Sequence, residues 1–235
     1  MLTSKIDICF FGSLLISGDS MAGSIHNDQL EELYRRGAHA LRTPLSIVLL
    51  ELGMIESDWA RNLEGDLHAY SETLRRTFLY LQCKAGGMGE RKEFDLDAVA
   101  KTVADKVREQ ATQSNIELEL QLHCRLKRHG YPDLLAEGLY CVLENATHFT
   151  PHGGHIKISF GVDGQRIVVE DSGSGYPSDI LSGDYAPFRT SSGDGFGVGI
   201  GLPLAATAAA LNGGRLLLDI AASGGARTIF DFESE

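Results

Sequence analysis

The sequence predicts two domains, an antiparallel helical hairpin followed by an α+β layer in which helices cover one face of a sheet. Apolar residues recur at helical spacing over roughly residues 27–84, and helical segments alternate with strand-like segments after residue 95. Glycine is also unevenly spread, since twelve of the 27 glycines fall between residues 171 and 225. The 235 residues, 43% of them hydrophobic, are enough to bury a core in one domain or two.

Charge and cysteine usage exclude several classes of protein. The chain carries 21 Lys and Arg against 32 Asp and Glu, a formal net charge of −11 that repels nucleic-acid phosphates. We therefore expect no nucleic-acid partner. The four cysteines include no C-x-x-C pair, which argues against a zinc knuckle and a disulfide framework, so a reduced, cytoplasmic location is expected.

Residues 1–26 form an N-terminal segment to which the sequence assigns no role. Its apolar run over residues 6–16 is interrupted by Asp7 and Gly12 and is shorter than the roughly 20 residues of a spanning helix, so we expect no membrane segment in this chain. The run lacks a clear small-residue cleavage site, which makes a signal peptide a weak interpretation. An extra strand, a docking segment or foreign sequence ahead of Met21 all remain open.

The predicted helical hairpin spans residues 27–85. Polar residues 56–58 separate two apolar stripes, as a turn between antiparallel helices would. One hairpin exposes much of this seam, so we expect two copies to pair as a homodimeric four-helix bundle; the alternative is a hairpin packed against the second domain of its own chain. The stripes are Tyr34, Ala38, Leu41, Leu45, Val48, Leu52 and Ile55, and then Trp59, Leu63, Leu67, Tyr70, Leu74, Phe78 and Leu81.

A Gly-rich, charged linker over residues 86–94 is expected to precede a second domain at residues 95–235. The mixture of periods in that domain predicts a sheet with helices on one face. The expected helices cover residues 95–114, 133–149 and 202–211, and the expected strands cover 116–122, 155–160, 165–170, 215–220 and 228–232.

The first candidate site lies on the first helix, in the segment GAHALRTPLS over residues 37–46. His39 lies beside the apolar seam, so its ring is expected to face outward, with Arg42 and Thr43 three and four residues later on the same helical face. Pro44 is expected to bend the helix there. A solvent-facing imidazole in its neutral form can attack an electrophile.

The second candidate site is divided between a helix and a strand. Asn145 follows an apolar run on the 133–149 helix, and its amide oxygen suits Mg²⁺, a cation that prefers oxygen ligands. Asp171 follows a predicted strand directly, where a carboxylate can accept the exocyclic amine of a nucleobase. Gly173 and Gly175 then allow a ligand to approach the backbone.

A third candidate is the glycine-rich segment GDGFGVGIGL over residues 193–202, just before the last predicted helix. Its alternating glycines leave amide N–H groups exposed at a helix N-terminus, which favours phosphate binding. No G-K-[ST] follows, which excludes a Walker A motif, and the spacing does not match a dinucleotide fingerprint. A flexible hinge is the alternative interpretation of this segment.

Together these segments resemble the characteristic boxes of bacterial two-component sensor histidine kinases. GAHALRTPLS resembles the H-box, LENATHFTP the N-box, DSGSG the G1 box, APFRT the F-box and GVGIGL the G2 box. LNGG and GARTIFDF are similar to the closing segments of the family, and the order agrees over roughly residues 30–235. The resemblance implies a dimerisation and histidine-phosphotransfer hairpin followed by a Bergerat-type (GHKL) ATP-binding α+β sandwich.

For the hairpin, the resemblance implies that His39 is the phosphoacceptor. It also implies that Thr43 takes part in dephosphorylating a partner regulator, with Arg42 beside it on the same helical face. The phosphoryl group would come from ATP with Mg²⁺, and His39 would pass it to an aspartate on the receiver domain of a separate response regulator.

For the second domain, the resemblance assigns Mg²⁺ to Asn145 and the adenine amine to Asp171. An ATP lid over about residues 176–197 would be anchored by Phe188, and Thr228 would reach adenine through water. The other nucleotide-binding residues that the resemblance implies are His148, Gly173, Gly175, Arg189, Gly197, Gly199, Gly201 and Leu202.

Several positions depart from the family pattern. Ala40 stands where an acidic residue usually follows the phosphoacceptor, and Cys141 replaces the first asparagine of the N-box. These two changes favour an alternative function, a degenerate kinase that acts as a phosphatase, a phosphotransfer scaffold or a nucleotide-binding partner. His148 replaces a common lysine, Arg227 replaces a small residue, and the lid is short.

Two further alternatives are weaker. A serine kinase of the anti-sigma type would share the ATP-binding fold, yet it would not need the His39 hairpin. The spacing of His148, His152 and His155 suggests a metal site, but Pro151 and the glycines that follow it interrupt the helix between them. We therefore expect no metal site at these histidines.

Overall fold

The computed structural model describes residues 48, 52, 54–55, 58–121, 126–161, 164–183, 185–189 and 199–232. Its first complete element is helix α1 (Asp58–Lys84), which carries the second apolar stripe of the predicted hairpin. His39, Arg42, Thr43 and most of the first predicted helix lie outside the described residues. The hairpin and its pairing into a bundle therefore remain predictions.

The second domain alternates strands and helices along the chain. Most elements begin and end within two residues of the predicted bounds. The strands are β1 (Lys92–Asp95), β2 (Glu117–Gln121), β3 (Lys127–Gly130), β4 (His155–Phe160), β5 (Arg166–Asp171), β6 (Gly214–Ile220) and β7 (Ala226–Phe232), and the helices are α2 (Leu96–Gln113), α3 (Pro132–Phe149), α4 (Ser178–Leu181) and α5 (Gly201–Leu211).

A five-stranded mixed sheet has the order β2-β4-β5-β7-β6, and β1 pairs with β3 in a separate two-stranded sheet. Strands β2 and β4 run parallel, whereas the other neighbours in the large sheet are antiparallel. Helices α2, α3 and α5 pack on one face of the large sheet, around side chains such as Ile158, Ile167 and Phe230 that are fully buried. This arrangement confirms the predicted layer of helices on one face of a sheet.

The sequence patterns did not predict two short strands. Strand β1 occupies the end of the predicted linker, and β3 lies in a stretch to which no element was assigned. Each has four residues, too few for alternation to be diagnostic, and each is stabilised mainly by its partner. Part of the predicted linker is therefore a strand that belongs to the second domain.

The outer face of the large sheet explains Arg227, a departure from the family pattern. Cross-strand neighbours place Glu119, Lys157, Glu170, Arg227 and Asp219 in one row, with alternating charges across all five strands. The guanidinium of Arg227 lies 3.3 Å from the Glu170 carboxylate and 3.7 Å from that of Asp219. Opposite charges directly across a sheet stabilise it modestly, so Arg227 has a structural role there.

Helix α1 lies against the second domain through a cluster of ion pairs. The guanidinium of Arg76 donates to Glu144 at 2.6 Å and to Glu137 at 3.1 Å, and Arg75 donates to the same Glu137 oxygen at 2.5 Å. Arg76 also lies 5.4 Å from the ring centroid of Tyr140. The Arg76 side chain is only 11% exposed, so this contact is largely shielded from water. Among the described residues, no helix is both long and apolar enough to cross a membrane.

We expect Arg76→Met to lower the free energy of unfolding by about 2 kcal/mol, because the half-buried carboxylates of Glu137 and Glu144 would lose their shared partner. Denaturant titration of the purified chain measures this change. The matched control is Arg108→Met, which removes an exposed ion pair to Asp105 and is expected to cost less than about 0.5 kcal/mol. Equal effects of the two substitutions would show that the α1 contact contributes no more to stability than an exposed ion pair does.

Candidate nucleotide-binding site

A cavity of about 700 Å³ lies between α1, α3 and the loops that follow β5 and precede α5. This volume is in the range of pockets that bind small molecules and cofactors. Helix α1 closes one side of it through residues such as Thr73 and Arg76. The residues expected at the site that line this cavity are Asn145, Asp171, Gly175, Arg189, Gly199, Gly201 and Leu202.

Asp171 ends strand β5 and presents one free carboxylate oxygen at the cavity. Its Oδ1 accepts the backbone N–H groups of Gly173 and Ala226, both at 2.9 Å. Its Oδ2 accepts no hydrogen bond from any described residue. One oxygen therefore fixes the carboxylate in place, and the other remains as an acceptor for a ligand.

The glycines around Asp171 permit this close approach of the backbone. A Cβ on Gly225 would lie 2.0 Å from the Asp171 carbonyl oxygen, and a Cβ on Gly173 would lie 2.6 Å from the Phe149 carbonyl oxygen. Gly175 has a φ of +75°, which favours glycine. Gly225, for which the sequence carries no signal, is thus required for the geometry of Asp171.

Asn145 and the start of α5 form the other end of the cavity. A Cβ on Gly201 would lie 3.9 Å from the Asn145 amide and 3.5 Å from the Cβ of Cys141, so the two helices meet closely here. Helix α5 begins at Gly201, and its first N–H groups have no partners within the helix. An amide oxygen beside a helix N-terminus suits a phosphate and its counter-cation.

Cys141 lies on α3 one turn before Asn145 and is only 1% exposed. Burial raises the pKa of its thiol to about 12, so the thiol stays protonated at neutral pH. A protonated thiol is a poor metal ligand and a poor nucleophile. Cys141 therefore offers no oxygen at this position, and the neighbouring side chains that do so at the cavity are Asn145 and Glu144.

Phe188 is anchored through its backbone rather than through its ring. Its N–H donates to the carbonyl oxygen of Gly199 at 3.0 Å, and its φ of +65° is unusual for a residue other than glycine. The ring itself is 49% exposed. Arg189, the next residue, lies against Gly199 closely enough that a Cβ there would come within 2.1 Å of the Arg189 carbonyl oxygen.

The structure does not bring every expected residue to the cavity. His148 is exposed, stacks edge-on against Phe149 and is not among the lining residues. Thr228 is buried behind the cavity wall rather than lining it. Gly197 lies outside the described residues. Within those residues, no group of three or more His, Cys, Asp and Glu side chains is placed to hold a metal ion.

Two features of the site lacked a sequence signal. Tyr176 lines the cavity beside Asp171, and helix α1 contributes Arg76 to the same wall. Tyr176 stands next to the DSGSG segment, so its proximity to Asp171 is local, but nothing in the sequence shows that its hydroxyl contacts β7. The Arg76 contact joins residues more than 60 positions apart, which periodicity does not reveal.

Two aspartates of the sheet are expected to titrate in opposite directions. Burial raises the pKa of Asp171, although the N–H groups of Ala226 and Gly173 partly offset this. The Arg166 and Arg215 guanidinium groups lower the pKa of Asp231. Ionised Asp171 therefore costs stability, a cost that disappears as the pH falls through its raised pKa; ionised Asp231 adds stability, which is lost as the pH falls through its lowered pKa.

Carboxyl-carbon NMR of the chain labelled at aspartate measures both titrations, with Asp171→Asn and Asp231→Asn used to assign the signals. We expect the Asp171 midpoint above the ordinary value of about 3.9 and the Asp231 midpoint below it. The reverse order would contradict the described environments.

Comparison with known proteins supports a kinase-type ATPase domain. Residues 130–235 match the family described as histidine kinase-, DNA gyrase B- and HSP90-like ATPases. The sensor-type histidine kinase PrrB of Mycobacterium leprae is 28% identical over 207 residues, 82% of this chain and 45% of PrrB. The sensor protein CseC of Streptomyces avermitilis is 29% identical over 181 residues, 76% of this chain and 35% of CseC. The chain thus spans less than half the length of these relatives.

Among solved structures, full-length ShkA in complex with AMPPNP has a TM-score of 0.66 and 20% identity, with 85% of this chain and 45% of that chain covered. At that identity the likeness shows the fold alone. Together with the family match, it shows that the second domain is a GHKL-type ATPase domain.

Proposed function

We propose that the chain is a two-component sensor histidine kinase and that it phosphorylates itself on His39 from Mg-ATP. The phosphohistidine then passes its phosphoryl group to an aspartate on the receiver domain of a separate response regulator. The observation that carries the proposal is the free Oδ2 of Asp171 in a cavity that also contains Asn145 and the start of α5.

The cavity offers groups suited to each part of Mg-ATP: the base, the phosphates and the metal ion. Asp171 supplies an acceptor for the exocyclic amine of adenine, and the glycines near α5 supply backbone N–H groups for the phosphates. Asn145 would hold Mg²⁺ through its amide oxygen, with the phosphates completing the coordination. When bound in this way, Mg²⁺ neutralises charge that develops on the transferred phosphoryl group.

Phosphoryl transfer to His39 requires positioning more than covalent chemistry by the protein. The neutral imidazole of His39 attacks the γ-phosphorus with its Nε2 lone pair, the bond to the β–γ bridging oxygen breaks, and ADP leaves. The imidazole then gives up its Nδ1 proton to solvent. Ala40 cannot accept that proton, so the proton goes to solvent, and we expect slower transfer than an acidic neighbour would support.

We further propose that the chain acts as a homodimer in the cytoplasm. The stripe along α1 leaves Trp59 60% exposed and Tyr70 62% exposed, and Leu63 is also exposed. Such an apolar surface is expected to pair with a second copy in a four-helix bundle. In that setting, Thr43 and Arg42 would act on the phosphorylated regulator from the same helical face as His39.

A degenerate kinase that binds nucleotide without transferring phosphate is the second candidate. Cys141, where the family pattern has an asparagine, is the observation that favours it, since the buried thiol supplies no oxygen to Mg²⁺. In this case the chain would serve as a phosphatase or as a scaffold for phosphotransfer.

Incubation of the chain with γ-labelled ATP and Mg²⁺ separates these functions. The kinase proposal predicts a label that is lost in acid, survives alkali and is absent from His39→Ala. Binding of ATP without any label supports the degenerate kinase instead. A label that survives acid would indicate a serine kinase and would overturn the proposal.

A further inference from the structure

We propose that Tyr176 donates a hydrogen bond from its phenol to the base of the bound nucleotide, and that Thr228 orients it from behind. This inference rests on the proposed ATP site and deepens it, because it names the residue that completes recognition of adenine. It also changes the role expected for Thr228. Instead of reaching adenine through water, Thr228 orients the hydroxyl of Tyr176.

The position of Tyr176 gives the first observation. Tyr176 lines the cavity together with Asp171 and Ala226, whereas Thr228 does not. The Tyr176 Oη and the Thr228 Oγ1 lie 2.7 Å apart, within hydrogen-bonding distance. Thr228 is only 2% exposed, so a ligand in the cavity meets the phenol of Tyr176 before it meets the hydroxyl of Thr228.

A count of protons shows which direction of this hydrogen bond suits a bound ligand. Each hydroxyl has one proton, and either oxygen can act as the donor of the shared bond. Among the described residues, Thr228 has no other partner for its hydroxyl. If Tyr176 donated, the Thr228 proton would be buried without an acceptor, which is unfavourable. With a ligand acceptor in the cavity, both protons are bonded only if Thr228 donates to Tyr176 and the phenol of Tyr176 donates to the ligand.

The phenol keeps that proton at neutral pH. Burial raises the pKa of Tyr176 to about 12, and the negative charge of Asp171 acts in the same direction. The base end of the cavity thus presents a fixed acceptor, Oδ2 of Asp171, and a donor, the Tyr176 hydroxyl.

This pairing of an acceptor and a donor matches adenine and opposes guanine. In adenine, the exocyclic amine is a donor and is flanked by ring nitrogens that accept. In guanine, an acceptor oxygen takes the place of that amine. Asp171 and Tyr176 would therefore hold adenine by two hydrogen bonds, whereas guanine would place an acceptor oxygen against the acceptor carboxylate of Asp171.

The test compares ATP binding by the full chain and its variants in calorimetry. We expect Tyr176→Phe, which keeps the ring, to weaken ATP binding about tenfold, the effect of about one hydrogen bond. We expect Thr228→Val to weaken it by a smaller factor and Thr228→Ser to restore it. The matched control is Tyr80→Phe, which removes a phenol hydroxyl that is outside the cavity and is expected to leave binding unchanged.

Base analogues give the sharper result. We compare 1-deaza-ATP and 7-deaza-ATP, each of which lacks one ring nitrogen beside the amine. If Tyr176 donates to one of these two nitrogens, the analogue that lacks this nitrogen binds the unchanged chain more weakly than ATP does. In Tyr176→Phe, that analogue and ATP should bind with the same affinity. The inference is overturned if, for both analogues, the loss of affinity relative to ATP is as large in Tyr176→Phe as in the unchanged chain. It is also overturned if Tyr176→Phe binds ATP as tightly as the unchanged chain. Both results leave the ATP site in place. Failure of the unchanged chain to bind ATP overturns the proposed function itself.

Discussion

Replacing Asp171 by asparagine is expected to weaken ATP binding at least about 100-fold, which corresponds to about 2.7 kcal/mol of binding free energy. The amide oxygen can still accept the N–H groups of Gly173 and Ala226, so the loop keeps its shape. The position of the free Oδ2, however, becomes an NH₂ group that points a donor at the donor amine of adenine. The side chain then presents a hydrogen-bond donor where the ligand needs an acceptor, and such a mismatch weakens binding strongly.

The same substitution is expected to leave stability unchanged or slightly raised. Burial raises the pKa of Asp171, which means that its charged form is disfavoured in the folded protein, and a neutral amide avoids that cost. Calorimetry with ATP and with GTP, beside a thermal melt, measures both effects. We expect the preference for ATP over GTP to shrink, because the new amide can donate to the oxygen of guanine. Binding of ATP that is unaltered in Asp171→Asn would remove Asp171 from the site.

The second large effect is expected for Gly199→Ala, in the segment that connects Phe188 and Arg189 to helix α5. A Cβ at Gly199 would lie 2.1 Å from the carbonyl oxygen and 2.8 Å from the amide nitrogen of Arg189, so the backbone must move. That shift breaks the bond between the Phe188 N–H and the Gly199 carbonyl oxygen, and it displaces Arg189 from the cavity wall. Small misplacements of binding groups reduce transfer rates about 100-fold, so phosphorylation of His39 should fall by at least that factor.

Gly183→Ala is the matched control for this substitution. Both glycines have a positive φ, +69° at Gly199 and +90° at Gly183, so alanine causes a similar backbone strain at either position. Nothing lies within 4 Å of a Cβ at Gly183, in contrast to Gly199. We therefore expect Gly183→Ala to reduce stability slightly and to keep activity within a few-fold. Equal losses of activity in both variants would show that backbone strain, and not the Arg189 contact, causes the defect.

The second domain could be predicted from the sequence to within a few residues, because its elements have clear periods. Strand β4 over His155–Phe160 and helix α3 to Phe149 begin or end where the patterns change. The position of Asp171 at the cavity was also predictable, since a carboxylate directly after a buried strand and before closely spaced glycines has few purely structural roles. These features depend on neighbours in sequence, which is why a single chain reveals them.

The rest of the site depends on contacts between distant residues. The bond between Tyr176 and Thr228 joins residues 52 positions apart, and the Arg76 contact with α3 joins separate elements. The exposure of His148 follows from its orientation on α3, where Asn145, three residues earlier, faces the cavity instead. Sequence spacing placed both residues on one helix but did not distinguish which of them lines the cavity.

The central claim, that ATP held in the Asn145–Asp171 cavity phosphorylates His39, is tested most directly by locating the phosphate. The full chain is incubated with Mg-ATP, digested at neutral to alkaline pH and fragmented by electron transfer in a mass spectrometer, which preserves phosphohistidine. We predict phosphate on His39 in the unchanged chain and none in Asp171→Asn. Phosphate on a serine or threonine, or phosphate on His39 that persists in Asp171→Asn, would contradict the claim.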